Sequence, residues 1–161
     1  MSRVQLALNV SSLDESIAFY TSLFGTGPAK VRPGYANFAI EEPPLKLVLI
    51  EGAGEPGSIN HLGVEVPTTG HVTEATSRLA GEGLATDIEE QTTCCYAVQD
   101  KVWVDGPDGA KWEVYTVLAD AEGNEGLGGD ERCCTSTTIT STAITSTTTT
   151  TDALPASSSC C

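Results

Sequence analysis

The sequence predicts an α+β fold of two βαβββ modules, about 1–56 and 57–120, and three observations lead to it. Strand and helix signals run in the order β-α-β-β-β and then repeat. Two stretches of the first half lay over two of the second. Gln5-Leu6-Ala7-Leu8-Asn9-Val10 matches His61-Leu62-Gly63-Val64-Glu65-Val66, and Lys46-Leu47-Val48-Leu49-Ile50 matches Lys111-Trp112-Glu113-Val114-Tyr115. Composition then breaks near residue 120, where a Gly- and acid-rich stretch leads into a Ser/Thr run.

Arg3 to Val10 alternates apolar and polar residues, as a half-buried strand does. A helix starts at Ser12: Ser12 and Glu15 are spaced as a capping box, Ile17, Tyr20 and Phe24 form an apolar stripe, and Gly25 is the stop. Short strands follow at Lys30–Arg32, Tyr35–Ile40 and Leu45–Glu51, separated by the turn signals Pro33-Gly34 and Pro43-Pro44. The second module reads as a strand at 59–66, a helix at 69–79 with Val72, Ala75 and Leu79 inward, and strands at 85–90, 96–104 and 111–117. Residues 121–161 carry too little apolar surface to offset the entropy of ordering them. They are expected to form a mostly disordered tail.

A net charge of −14, from 22 acidic and 8 basic residues, repels a phosphate backbone or an anionic membrane surface, which argues against nucleic-acid and membrane partners. No stretch is long and apolar enough to span a bilayer, and the first residues lack the layout of a signal peptide. The expectation is a soluble cytoplasmic protein. All six cysteines stand in adjacent pairs, Cys94-Cys95, Cys133-Cys134 and Cys160-Cys161. Neighbouring residues form only strained disulfides and a reducing cytosol keeps thiols free, so the pairs point to soft-metal or metalloid chemistry.

Glu113 interrupts an apolar strand between Trp112 and Val114, and a carboxylate is seldom buried without a partner. His61 taken alone reads equally well as a core histidine, and His71 as a solvated residue on the polar face of the second helix. The paired modules, the Asn60-His61-Leu62-Gly63-Val64 strand and the Asp105-Gly106-Pro107-Asp108-Gly109 hairpin leading into Trp112-Glu113-Val114-Tyr115 resemble the vicinal-oxygen-chelate (glyoxalase/dioxygenase) superfamily over residues 1–120. That resemblance implies a curved mixed sheet around a cleft, with metal ligands from the first and last strands of each module. The four places are Gln5, Val48, His61 and Glu113. Val48 cannot coordinate, and three O or N donors leave positions open, as catalytic sites do. The Gln5 carbonyl is a weaker donor than the His often found at its position in the superfamily.

Cys94-Cys95 precedes the third strand of the second module. Two neighbouring thiolates can replace both hydroxyls of a trivalent arsenical with one organic substituent. This pair, together with Gln5, His61 and Glu113, resembles the ArsI family of organoarsenical carbon-arsenic lyases and the related cadmium-induced CadI proteins. The resemblance implies a nonheme Fe(II)-dependent dioxygenase that demethylates methylarsenite to arsenite and also cleaves trivalent aromatic arsenicals. Gln5, His61 and Glu113 would hold Fe(II), Cys94 and Cys95 would hold arsenic, and dioxygen would be the second substrate. Gly, Thr and acidic residues around the pair lead us to expect a mobile loop there, and Lys101 reads first as an ordinary exposed strand residue, with a positive charge near the cleft as its second reading. The alternatives are a cadmium or arsenite scavenger using the three Cys pairs, a glyoxalase-type enzyme or thiol transferase, and a metal-free binding module. The glyoxalase or transferase has no need of the vicinal thiols, and the metal-free module has no need of Glu113 in an apolar strand.

Overall fold

The computed structural model describes residues 2–121. The elements follow as β1 (Arg3–Val10), α1 (Leu13–Phe24), β2 (Lys30–Arg32), β3 (Tyr35–Ile40), β4 (Leu45–Glu51), β5 (Ile59–Glu65), α2 (Thr69–Gly81), β6 (Asp87–Cys94), β7 (Ala97–Asp105) and β8 (Lys111–Asp120). All strands join one sheet in the order β2-β3-β4-β1-β5-β8-β7-β6. Each half has the same plan, since β1 pairs in parallel with β4 and β5 in parallel with β8. The halves meet where β1 and β5 run antiparallel. The result is a curled, half-barrel sheet with two helices.

Local chemistry sets the helix ends. Ser12 Oγ accepts the Glu15 N–H at 3.4 Å, and Gly25, at φ 66°, turns the chain out of α1 while its N–H bonds Thr21 O. The residue starting α2, Thr68, makes no side-chain cap; its hydroxyl instead meets exposed His71 Nδ1 at 2.7 Å.

Strand alternation sends successive side chains to opposite faces of the sheet. On one face Leu6, Leu8, Val10, Leu45, Leu47, Leu49 and Phe38 pack with Leu13, Ile17, Tyr20 and Phe24 of α1. In the second half Val102, Val104 and Val114 pack with Val72 and Leu79 of α2. Burying each of these larger side chains contributes about 1.5–3 kcal/mol. The alternate positions, free of helices, line the cleft. Most are polar.

Several boundaries differ from the sequence reading, most of them by a residue or two. Helix α2 runs on to Gly81, β8 continues to Asp120, and β6 begins at Asp87 and carries on through Gln91-Thr92-Thr93 to Cys94. That last stretch was expected as loop. It pairs because a bulge between Glu89 and Thr92 resets the register, with Gln91 at φ 49° and its N–H held by Asp100 Oδ1 at 2.8 Å. Among the described residues no helix is long and apolar enough to cross a membrane. The expected tail from 122 onward, with Cys133-Cys134 and Cys160-Cys161, lies outside the described residues.

Candidate functional site

The two overlaid registers explain how the predicted residues meet. Gln5 pairs with Gly63, and Gly63 with Glu113, so Gln5 and Glu113 flank a residue without a side chain. One step along, Ala7 pairs with both Val48 and His61. Gln5 and His61 therefore occupy equivalent places in the two halves, as do Val48 and Glu113.

Gln5, His61 and Glu113 come together in the cleft, each no more than 5 % exposed. Gln5 Nε2 lies 2.9 Å from His61 Nε2 and 2.6 Å from Glu113 Oε1, and His61 Nε2 lies 3.4 Å from Glu113 Oε1. Three ligands at about 2.0–2.2 Å from one ion, at right angles to one another, would be spaced by about 3 Å. The triangle has that size, and the imidazole nitrogen and carboxylate oxygen suit a borderline divalent metal; its third corner is the Gln5 NH2 group, which donates, so Gln5 can bind a cation only through its carbonyl oxygen, the other end of the same amide. His61 Nδ1 is occupied 2.7 Å from Asn60 Oδ1, which directs Nε2 inward. Val48, the fourth position, is buried among Ala7, Tyr35 and Ile50 and offers no donor.

Charge is balanced around the triangle by residues that sequence reasoning missed or misread. Lys101 is not an exposed strand residue: it is 1 % exposed, and its ammonium sits 2.8 Å from Glu113 Oε2. Alternation on β7 turns Lys101 into the cleft beside Trp103, the same face as Glu113 on the neighbouring strand. Burial raises the pKa of the Glu113 carboxyl, but Lys101 and His61 outweigh it and hold the pKa at about 2. Behind Gln5, the Tyr115 hydroxyl contacts Gln5 Oε1 and lies 2.9 Å from Glu65 Oε2. Burial pushes the phenol pKa up, so Tyr115 is a proton donor throughout the working range. Glu65 is paired in turn with Arg3 at 3.0 Å and Lys46 at 3.2 Å. Burial opposes its charge, yet Lys46 and Arg3 prevail and its pKa is lowered. The signal for both missed residues was the two-residue period, since Tyr115 follows Glu113, and Glu65 follows His61 by two such steps.

The thiol pair does not sit in a long mobile loop. Cys94 ends β6, and Cys95-Tyr96 forms a two-residue hairpin turn with φ of 51° and 64°. Both residues are left-handed, a conformation that favours Asn and Gly and costs of order 1–3 kcal/mol for each other residue. The surroundings hold it. Tyr96 OH donates to Pro33 O at 3.2 Å, and Tyr96 O accepts from Lys30 Nζ at 3.2 Å and from the Ala121 N–H at 2.9 Å. Cys95 and Tyr96 pack against Ala7, Tyr35, Val48 and Ile50, so the second half's hairpin reaches over the cleft face of the first. Cys94 is buried, Cys95 half-buried, and their sulfurs are 3.5 Å apart. That is well beyond the roughly 2.0 Å of a disulfide, leaving room for one atom to bridge both.

The family model for the Glyoxalase/Bleomycin resistance protein/Dioxygenase superfamily matches residues 3–114. The chain belongs to this superfamily. It is 64% identical over 136 residues to a trivalent organoarsenical cleaving enzyme of Thermomonospora curvata, covering 84% of this chain and 89% of that protein. Over 122 residues it is 62% identical to the cadmium-induced protein CadI of Mycobacterium tuberculosis, covering 76% of this chain and 80% of that one. Among solved structures, a homoprotocatechuate 2,3-dioxygenase from Brevibacterium fuscum superimposes with a TM-score of 0.56 at 21% identity, covering 74% of this chain and 38% of that one. At that identity the likeness concerns the glyoxalase-type fold alone, here carried by a chain that resembles enzymes of organoarsenical cleavage far more closely in sequence.

Proposed function

We propose that this protein is an Fe(II)-dependent dioxygenase that cleaves the carbon–arsenic bond of trivalent organoarsenicals, such as methylarsenite and trivalent aromatic arsenicals, to give arsenite. The observation that carries the reading is one cleft in which Gln5, His61 and Glu113 converge and on whose face Cys95, one of a pair of adjacent thiols, packs. Its relatives at 64%, 40% and 39% identity, each named as a certain or probable trivalent organoarsenical cleaving enzyme, support it.

Gln5, His61 and Glu113 would hold the metal. Bound there, Fe(II) supplies a site for dioxygen and the electrons that activate it. The protein's own residues do the rest. Each thiol of Cys94 and Cys95 exchanges for one hydroxyl on arsenic, forming an S–As bond and releasing one water. The sulfurs' soft character suits arsenic and leaves the N and O donors to iron. With Cys95 anchored on Ala7 and Val48, next to His61 in the sheet, the organic group is held on the triad's side of the cleft. Lys101 keeps Glu113 ionised. The site chemistry needs no contact with nucleic acid or membrane, and we place it in the cytoplasm, where thiols stay reduced.

A cadmium or arsenite scavenger is the second reading, favoured by the 3.5 Å thiol pair and by the CadI relatives. One experiment separates them: aerobic incubation of Fe(II)-loaded protein with methylarsenite, followed by arsenic speciation. Catalytic release of arsenite is expected. Stoichiometric retention of unchanged methylarsenite would overturn the enzyme reading.

A further inference from the structure

The Gln5 amide stands between two sets of partners that make opposite demands on it. Its Nε2 side faces His61 Nε2 and Glu113 Oε1, and its Oε1 side faces the Tyr115 hydroxyl. In this orientation the NH2 group serves two acceptors and the carbonyl accepts from Tyr115. Tyr115 has one proton, yet it also lies 2.9 Å from Glu65 Oε2, an ionised acceptor. Only one of those two acceptors can be served. Turning the amide by 180° resolves the conflict on the Tyr115 side: Gln5 Nε2 donates to the phenol oxygen, and the phenol donates to Glu65. On the other side the same turn brings three acceptors, Gln5 Oε1, His61 Nε2 and Glu113 Oε1, to one point. Such a cluster is stable only with a cation between its members.

We infer that Tyr115 and Glu65 are positioning residues: by reversing one hydrogen-bonded chain, Gln5–Tyr115–Glu65, they hold the Gln5 carbonyl oxygen toward the metal. The inference rests on the metal site proposed above. Without a metal the chain runs from Tyr115 to Gln5 Oε1. With one, it runs from Gln5 Nε2 to Tyr115 to Glu65, whose charge is fixed by Arg3 at 3.0 Å and Lys46 at 3.2 Å. A neutral amide needs such a device because its two ends differ and only one can bind a cation. A carboxylate at position 5 would need none, because its two oxygens are alike.

The test is a double-mutant cycle read by anaerobic Fe(II) titration of the full chain, followed by tryptophan fluorescence, since Trp103 lies 5.5 Å from His61 ring to ring. Thermal melting of each variant is measured alongside. Tyr115→Phe keeps the buried ring and removes only the hydroxyl. In the Gln5 background it is expected to weaken Fe(II) binding by about 10- to 100-fold, the usual loss on removing a partner of a ligand. In the Gln5→Glu background the same change should cost no more than about threefold, because no orientation has to be held. Equal losses in both backgrounds would show a merely structural role and overturn the inference, as would no loss in the Gln5 background. His61→Ala is the separate control: if it binds Fe(II) like the wild type, the metal site itself is wrong, whatever Tyr115 does.

Discussion

The two halves of the molecule share a backbone plan and differ in what they place at equivalent points. His61 and Glu113 in the second half correspond to Gln5 and Val48 in the first, and Gly63 corresponds to Ala7. The second half thus concentrates charge: Glu113, Lys101 and Glu65 are all drawn from β5, β7 and β8. The first half instead gives an apolar floor of Ala7, Tyr35, Val48 and Ile50, on which the second half's Cys95-Tyr96 turn rests. Divergence after duplication has divided the labour. One half supplies most of the proposed metal site, and the other supports the thiols that would carry substrate.

The largest expected effect comes from removing either of the triangle's two corners that the second half supplies. His61→Ala and Glu113→Ala should each abolish Fe(II) binding, measured by anaerobic titration, while Gln5→Ala should weaken it less. The two losses differ in their cost to the fold. Glu113→Ala also removes the carboxylate that faces the buried Lys101 ammonium at 2.8 Å, and breaking such a buried pair costs about 3–5 kcal/mol. His61→Ala strands no charge. Chemical denaturation should therefore show Glu113→Ala clearly less stable than His61→Ala. Similar stabilities would mean that the Lys101–Glu113 pair contributes little, and the picture of a charge-dense second half would fail.

Next in size is the contribution of the turn. Cys94→Ser and Cys95→Ser should each remove turnover of methylarsenite while leaving Fe(II) affinity unchanged, because a hydroxyl is a poor partner for soft arsenic and neither sulfur belongs to the triangle. Arsenic speciation and metal titration on the same preparations decide it. Demethylation at the wild-type rate by either mutant would remove the thiols from the substrate site.

Much of this arrangement was legible in the sequence, because it follows from periodicity. The element order, the Ser12 and Gly25 helix ends and the equivalence of Gln5 with His61 all rest on local spacing, and the sheet register agrees with each. What was not legible depends on contacts between strands far apart in sequence. Lys101 looked exposed because its neighbours on β7 include Asp100 and Gln99, and only the pairing of β7 with β8 turns it onto Glu113. Thr92 and Thr93 looked like loop because polar residues at a sheet edge give no alternating signal. Asp100 supplies the missing reason: its carboxylate holds the bulge that lets β6 run as far as Cys94. Tyr115 was passed over as an aromatic strand residue, since nothing local shows which of its neighbours its hydroxyl will meet.

The smallest and most discriminating test concerns the pair Gly63 and Ala7. A methyl group added at Gly63 would stand 3.0 Å from Glu113 Cγ and 3.3 Å from Gln5 Cβ, tighter than ordinary contact on both sides. Those atoms lie on the strands flanking β5, so relief comes from moving the two ligands apart. Overpacking of this kind costs about 1–3 kcal/mol, and if a good part of it falls on the ligand geometry, Gly63→Ala should weaken Fe(II) binding by about tenfold. Ala7 is the equivalent residue of the other half, fully buried and paired with Val48 and His61. There a Cβ is already accommodated, and of the two residues beside it Val48 is not a ligand. Ala7→Gly should lower stability by about 0.5–1 kcal/mol, the usual penalty of glycine in a strand, with metal affinity unchanged. Measured side by side, the two substitutions put the same methyl group on opposite sides of the molecule's internal symmetry. If Gly63→Ala leaves Fe(II) affinity at the wild-type value, the gap between Gln5 and Glu113 is not set by the missing side chain, and the divergence of the halves at that point has no bearing on the metal.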